Sequence, residues 1–139
     1  MTKFFFITVF SLFLQTFGIA QIERSIFEAY DLDSIEQIHI NIADSVNIEF
    51  WPGDNILVES NIAFYNGNKS MFERLIKAGR YNLLENRTSQ SLSLSEGDKI
   101  KKKIAGVNGE ICYETVERTI YIPEDYALSG SAYIKVKEE

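Results

Sequence analysis

Catalytic chemistry in this chain has to pass through very few side chains. His39 is the only histidine and Cys112 the only cysteine among 139 residues. A Ser-His-Asp triad would have to use His39, and a Cys-His pair would have to join Cys112 to it. A structural zinc site built from His and Cys needs four ligands and is excluded. Glu49 or Glu59, on a neighbouring strand, would be the carboxylates to serve His39 in a small hydrolytic or ligand-binding centre. A lone His on the wet side of a strand is ordinarily structural, however. No catalytic set is expected, and the inventory points away from an enzyme.

Other clusters are weighed the same way. Asp31, Asp33 and Glu36 (DLDSIE) place oxygens at alternate positions, as a calcium loop does, but lack the further acids and the central Gly. They read as a solvated turn, and no metal is expected. Lys99, Lys101, Lys102 and Lys103 (KIKKK) read as an exposed edge strand guarded by Lys. Cys112 reads as a small buried hydrophobe. There is no Gly-rich phosphate loop or nucleophile elbow, so no cofactor is expected. The best binding candidates are aromatic, because Tyr and Trp give large contact area at low entropy cost. These are Trp51, Tyr65, Tyr81, Tyr113, Tyr121, Tyr126 and Tyr133. Trp51 beside Pro52 and Tyr65 beside a turn stand out, and His39 and Glu49 complete the candidate set.

The elements that position these residues follow from the pattern. The first twenty residues differ from the rest: Lys3, then an apolar block over 4–14, then small residues Gly18 and Ala20. That is the layout of a secretory signal peptide cut before Gln21. The apolar block is shorter than the roughly 20 residues of a spanning helix. The expected organisation is therefore a signal peptide over 1–20 and a single exported domain over 21–139, with no transmembrane segment after cleavage. The expected location is the periplasm or cell surface of a bacterium. The charge, 14 basic against 20 acidic residues for a net of −6, argues against nucleic-acid binding, which needs a dense positive field.

Beyond residue 20 the chain reads as mainly β, either a short β-solenoid or a sandwich. Residues 25–30 suit a strand. Residues 37–42 (QIHINI) alternate strictly, the mark of a half-buried strand. Residues 45–62 read as strand, Pro-Gly turn, strand, with Ile56, Val58, Ser60 and Ile62 on one face. At 69–78 (KSMFERLIKA) the period changes to helical, with Asn68 or Ser70 as N-cap and Gly79 at the C-cap. Strands are expected again at 80–84, 91–95, 99–104 and 110–122. A final edge strand is expected at 133–137.

Two stretches carry a family resemblance. Residues 38–62, IHINIADSVNIEFWPGDNILVESNI, combine an alternating strand, Asp-x-Val-x-Ile, a Gly-Asp turn and a Val-Glu strand. Residues 117–130, ERTIYIPEDYALSG, add Ile-Tyr-Ile-Pro followed by Leu-Ser-Gly. Together they resemble the auto-transporter adhesin head GIN domain proteins, exported solenoid-like proteins of Bacteroidota. The resemblance implies a non-enzymatic binding or adhesion module of the cell envelope, with an envelope protein or surface glycan as partner. It supplies no catalytic residues.

Overall fold

A computed structural model describes residues 21–43 and 46–137. The segment read as an export signal lies outside the described residues. Ten strands and one helix follow in order: β1 (Gln21–Tyr30), β2 (Gln37–Asn41), β3 (Val46–Trp51), β4 (Ile56–Tyr65), α1 (Lys69–Lys77), β5 (Leu83–Arg87), β6 (Ser91–Glu96), β7 (Ile104–Ala105), β8 (Ile111–Pro123), β9 (Tyr126–Ser129) and β10 (Ala132–Lys135). They make two sheets. The first runs β1-β4-β8-β3, with β7 added beside β8, and the second runs β5-β6-β2-β10-β9. The chain is a mainly β domain with one short helix.

Alternation along the strands decides which faces meet. Ile56, Val58, Ile120 and Ile122 of the first sheet and Ile38, Leu92 and Leu94 of the second are fully buried in one shared core. The loop after β1 closes this core with Leu32 and Ile35. The two sheets therefore face each other across apolar side chains, in the manner of a sandwich.

The long strands of the first sheet overrun the second. β4 has 10 residues and β8 has 13, against 4 to 6 in the strands of the second sheet. The overhang needs its own cover, and α1 provides it. Phe72 of α1 stacks on Phe64 of β4, with ring centres 5.0 Å apart, and meets Tyr81 edge-on at 6.0 Å. These rings, with Ile62, Ile104 and Cys112, form a second core. Asn68 caps the helix by accepting from the Met71 N–H at 2.8 Å. At the other end Gly79 takes φ +71°, and the N–H groups of Gly79 and Arg80 bond back to the carbonyls of Ile76 and Leu75. This double closure stops the helix at a fixed place and sends the chain inward at Arg80.

A polar band divides the two cores. Ser60 of β4 lies opposite Arg118 of β8, and both are buried. The Arg118 guanidinium donates to Ser60 Oγ at 2.5 Å and to the Tyr81 carbonyl at 3.0 Å, and stands 3.6 Å from Glu96 of β6. Close by, Arg80 forms a bidentate pair with Glu114 and donates to the carbonyls of Lys99, Ile100 and Lys102. The Tyr81 hydroxyl donates to Glu114 Oε2 at 2.6 Å, the oxygen that also accepts from Arg80 Nε.

Several expectations need correction. Of the strand expected over 99–104 only Ile104 is strand, at the start of β7: Asp98–Lys101 form a 3-10 turn, because Arg80 gathers that segment's carbonyls around its guanidinium. The lysine cluster thus sits on a turn. The strand expected at 80–84 begins at Leu83, since Arg80 and Tyr81 are spent on the helix exit and the polar band. The last strand is not an edge. β10 lies between β2 and β9, and the edge is β9, which pattern reading missed. The first strand starts at Gln21 rather than residue 25. The Pro-Gly turn joins β3 to β4 as expected, but β8 inserts between them and runs parallel to β3.

Among the described residues β1 is an edge strand, and that edge is guarded. Arg24 and Glu28 occupy inward-facing positions on it, an arrangement that discourages strand addition. Arg24 pairs with Glu73 of α1, and Glu28 accepts from the Leu83 N–H and the Tyr30 hydroxyl.

Glu114→Ala strands the buried Arg80 and should lower stability by about 3–5 kcal/mol in denaturant unfolding. Lys102→Ala, at an exposed side chain, should change it by less than about 0.5 kcal/mol. Burial, with Asp125 and Glu36 nearby, pushes the Tyr126 hydroxyl up to about 12. Burial and then Glu114 raise Tyr81 as well. A folded-state value above the unfolded value of about 10 means that this stability is fully present below pH 10 and is lost as pH rises further. The melting temperature should hold to about pH 9 and then fall towards pH 12, less steeply in Tyr126→Phe.

Candidate functional site

Each sheet has one face turned away from the shared core, and the two faces differ in chemistry. Residues paired directly across strands share a face. On the first sheet the outward residues of β4 are Leu57, Glu59, Asn61, Ala63 and Tyr65, the partners of Val58 and its inward neighbours being the core. On β8 they are Tyr113, Thr115, Glu117, Thr119 and Tyr121, directly opposite the β4 set in reverse order. β1 contributes Glu23, Ser25 and Phe27 to the same face, and β3 contributes Asn47, Glu49 and Trp51.

This face carries four carboxylates and no Lys, Arg or His. Glu23, Glu49, Glu59 and Glu117 have no ion-pair partner among the described residues. Neutral neighbours hold three of them in place. Gln21 donates to Glu23, Asn47 to Glu49 at 2.9 Å, and Asn61 to Glu59 at 3.4 Å. The Tyr121 hydroxyl points to Glu59 at 3.5 Å. Desolvation and the charges of Glu49 and Glu59 raise the Tyr121 hydroxyl above its ordinary value.

Aromatic side chains bound the face. Tyr65 lies opposite Tyr113 at one end, and Tyr113 is 60% exposed. Phe27 is 61% exposed in the middle. At the other end Trp51 leans on Tyr121 with ring centres 6.2 Å apart. Trp51 is half-buried rather than a free anchor. Its indole N–H donates to the Asn55 carbonyl at 2.9 Å, which folds the ring back over Gly53 in the Pro-Gly turn. A shallow cavity of about 310 Å³ opens beside Glu23, Asn61, Tyr65 and Glu117.

The outward face of the second sheet is neutral. His39 of β2 lies beside Ser93 of β6, in a row continued by Asn86 of β5. Asn41 donates to Ser93 Oγ at 2.9 Å. No carboxylate is hydrogen-bonded to His39 among the described residues. Ile38, next to His39, and Ile48, next to Glu49, pack on the same core from opposite sheets. The core therefore lies between His39 and the pair Glu49 and Glu59, and the hydrolytic centre imagined from the sequence is not assembled. Cys112 is buried, with its thiol donating to the Asn66 carbonyl at 3.3 Å, and cannot reach His39 across the sheets.

Of the four candidate binding residues, Trp51, Tyr65 and Glu49 thus come together on one face, and His39 stands on the other. Sequence reasoning missed Glu23, Glu117 and Phe27 as members of that face, whereas Tyr113 and Tyr121 were among its aromatic candidates. The alternation of each strand marks them as outward, but only the pairing register sets them side by side. Among the described residues no group of three or more His, Cys, Asp or Glu side chains is arranged to hold a metal ion. No helix there is long and apolar enough to cross a membrane. No family model, curated protein or solved structure matches the chain.

The Pro-Gly turn offers a direct test of the Trp51 placement. A side chain at Gly53 would overlap the indole ring. Gly53→Ala should expel the ring towards water and shift the emission of this single Trp to the red by several nanometres. Gly109→Ala is the control for strain alone, since its φ is +74° and no atom lies near the added methyl.

Proposed function

We propose that this chain is a non-enzymatic binding module of a bacterial cell envelope, and that it engages its partner through the outward face of β1, β4, β8 and β3. The observation that carries the reading is the composition of that face. Exposed aromatic rings and unpaired carboxylates share one sheet surface, and exposed apolar area of this kind marks interaction sites. The separation of His39 from Glu49 and Glu59, and the burial of Cys112, speak against hydrolytic chemistry. Export rests on the signal-like pattern of residues 1–20. The adhesin reading rests on the resemblance of residues 38–62 and 117–130 to the GIN domain proteins.

The test uses residues 21–139 and washed envelope fragments of the native host. Binding is followed by surface plasmon resonance. The double variant Tyr65→Ala/Tyr113→Ala should weaken binding at least tenfold, while His39→Ala on the opposite face leaves it unchanged. Equal loss in both variants, or loss in His39→Ala alone, would overturn the assignment of the face. Fractionation of the host should place the mature chain, beginning at Gln21, outside the cytoplasm.

A further inference from the structure

We infer that the occupant of this face is an extended polypeptide segment carrying Lys or Arg at alternate positions. The inference rests on the binding reading above and names the partner's chemistry. Successive cross-strand rows of the face are two residues apart, or about 7 Å along the strands. Glu23 belongs to the row of Ala63 and Thr115, and Glu117 to the next row with Asn61 and Ser25. Glu59 belongs to the third row with Thr119 and Phe27, and Glu49 to the fourth with Tyr121 and Leu57. Four consecutive rows thus hold one carboxylate each, from β1, β8, β4 and β3 in turn.

An extended chain repeats its same-side residues every second position, at the same spacing of about 7 Å. The strand order β1-β4-β8-β3 also offsets successive carboxylates sideways, by one or two strand spacings of about 4.8 Å. A segment lying over the β4-β8 seam would therefore send its long Lys or Arg side chains to one side and the other in turn to meet one Glu per row. The carboxylates are too far apart to close on a single metal ion, whose oxygen ligands crowd within about 2.6 Å of it. Covering them with a neutral surface would leave ionised groups desolvated without a counter-charge, at considerable cost. A cationic segment removes that cost. It also gains from the rings, because Lys and Arg are attracted to the faces of Tyr and Trp. Tyr65 and Tyr113 at one end of the ladder, and Trp51 and Tyr121 at the other, stand where such contacts would form. The remaining outward groups, Asn61, Thr115 and Thr119, are hydrogen-bonding partners suited to a peptide backbone. Attachment would be to the face and not to the β1 edge, which Arg24 and Glu28 guard.

The experiment titrates residues 21–139 with three labelled synthetic octapeptides, followed by fluorescence anisotropy at 50 and 200 mM salt. The first alternates Lys and Thr. The second has the same composition with its four Lys in one block, and the third alternates Glu and Thr. The alternating Lys peptide should bind, with affinity falling several-fold between the two salt concentrations. It should bind at least fivefold more tightly than the block peptide, and the Glu peptide should not bind. Glu59→Gln/Glu117→Gln, which keeps the side-chain shape, should weaken it at least tenfold. Near-UV circular dichroism checks that this variant is folded. Equal affinity for the alternating and block peptides would overturn the row matching, and unchanged affinity in the Gln variant would overturn the site. If no Lys peptide binds while envelope fragments still bind in a Tyr65- and Tyr113-dependent way, the binding face stands and the cationic occupant is wrong. If that dependence also fails, the reading of the face fails with it.

Discussion

Arg118 stands in the middle of a long strand whose inward neighbours are apolar, and its charge has to be met inside the protein. Ser60, directly across from it, accepts one hydrogen bond, and the Tyr81 carbonyl accepts another. Glu96 arrives from the opposite sheet at 3.6 Å. Each of these partners fixes a different part of the chain. Ser60 and Arg118 lock the β4-β8 register, Glu96 ties the end of β6 to the first sheet, and Tyr81 holds the exit of α1. A buried charge with its partners removed would be worth several kcal/mol of destabilisation, so the three placements are mutually dependent. Arg118 Nε and Glu96 Oε1 have no hydrogen-bond partner in this arrangement, so the pair acts through charge more than through a direct bond.

The band around Arg118 also explains the outline of the molecule. On one side of it the second sheet covers the first. On the other side the second sheet stops, and α1, the 3-10 turn and β7 take its place over Phe64 and Ile62. Arg80 and Glu114 fasten that cover, because the guanidinium binds a carboxylate of β8 and three carbonyls of the turn at once. The first sheet can therefore remain long, with strands of 10 and 13 residues, because both halves of its inner face are buried. Its outer face is a continuous surface as a result.

Charge is distributed unevenly between inside and outside. Where Arg occurs on inward positions of the first sheet, as at Arg24 and Arg118, it is paired with a carboxylate. The outward positions of the same strands hold carboxylates alone. One polypeptide thus uses ion pairs to hold its layers together and leaves one face with a single sign of charge. Such a face concentrates cations near it.

Much of this was legible in the sequence. Alternation in residues 37–42, 56–62 and 91–95 identified strands and their buried sides, because a period of two depends only on local geometry. The Asn68 cap, the helical spacing of Phe72, Leu75 and Ile76, and Gly79 identified the helix for the same local reason. The turn at Trp51-Pro52-Gly53 was equally local. Pairing was not legible. That β8 inserts between β3 and β4, that β10 is interior, and that residues 98–101 curl around Arg80 depend on contacts between distant segments, which no local pattern encodes. The binding candidates show the same division. Trp51, Tyr65 and Glu49 could be named from residue type and turn position. Their union with Glu23, Glu59 and Glu117 in one ladder of rows, and the exile of His39 to the other sheet, were decided by tertiary register, because it is hydrogen bonding between strands that sets side chains from four parts of the chain next to one another.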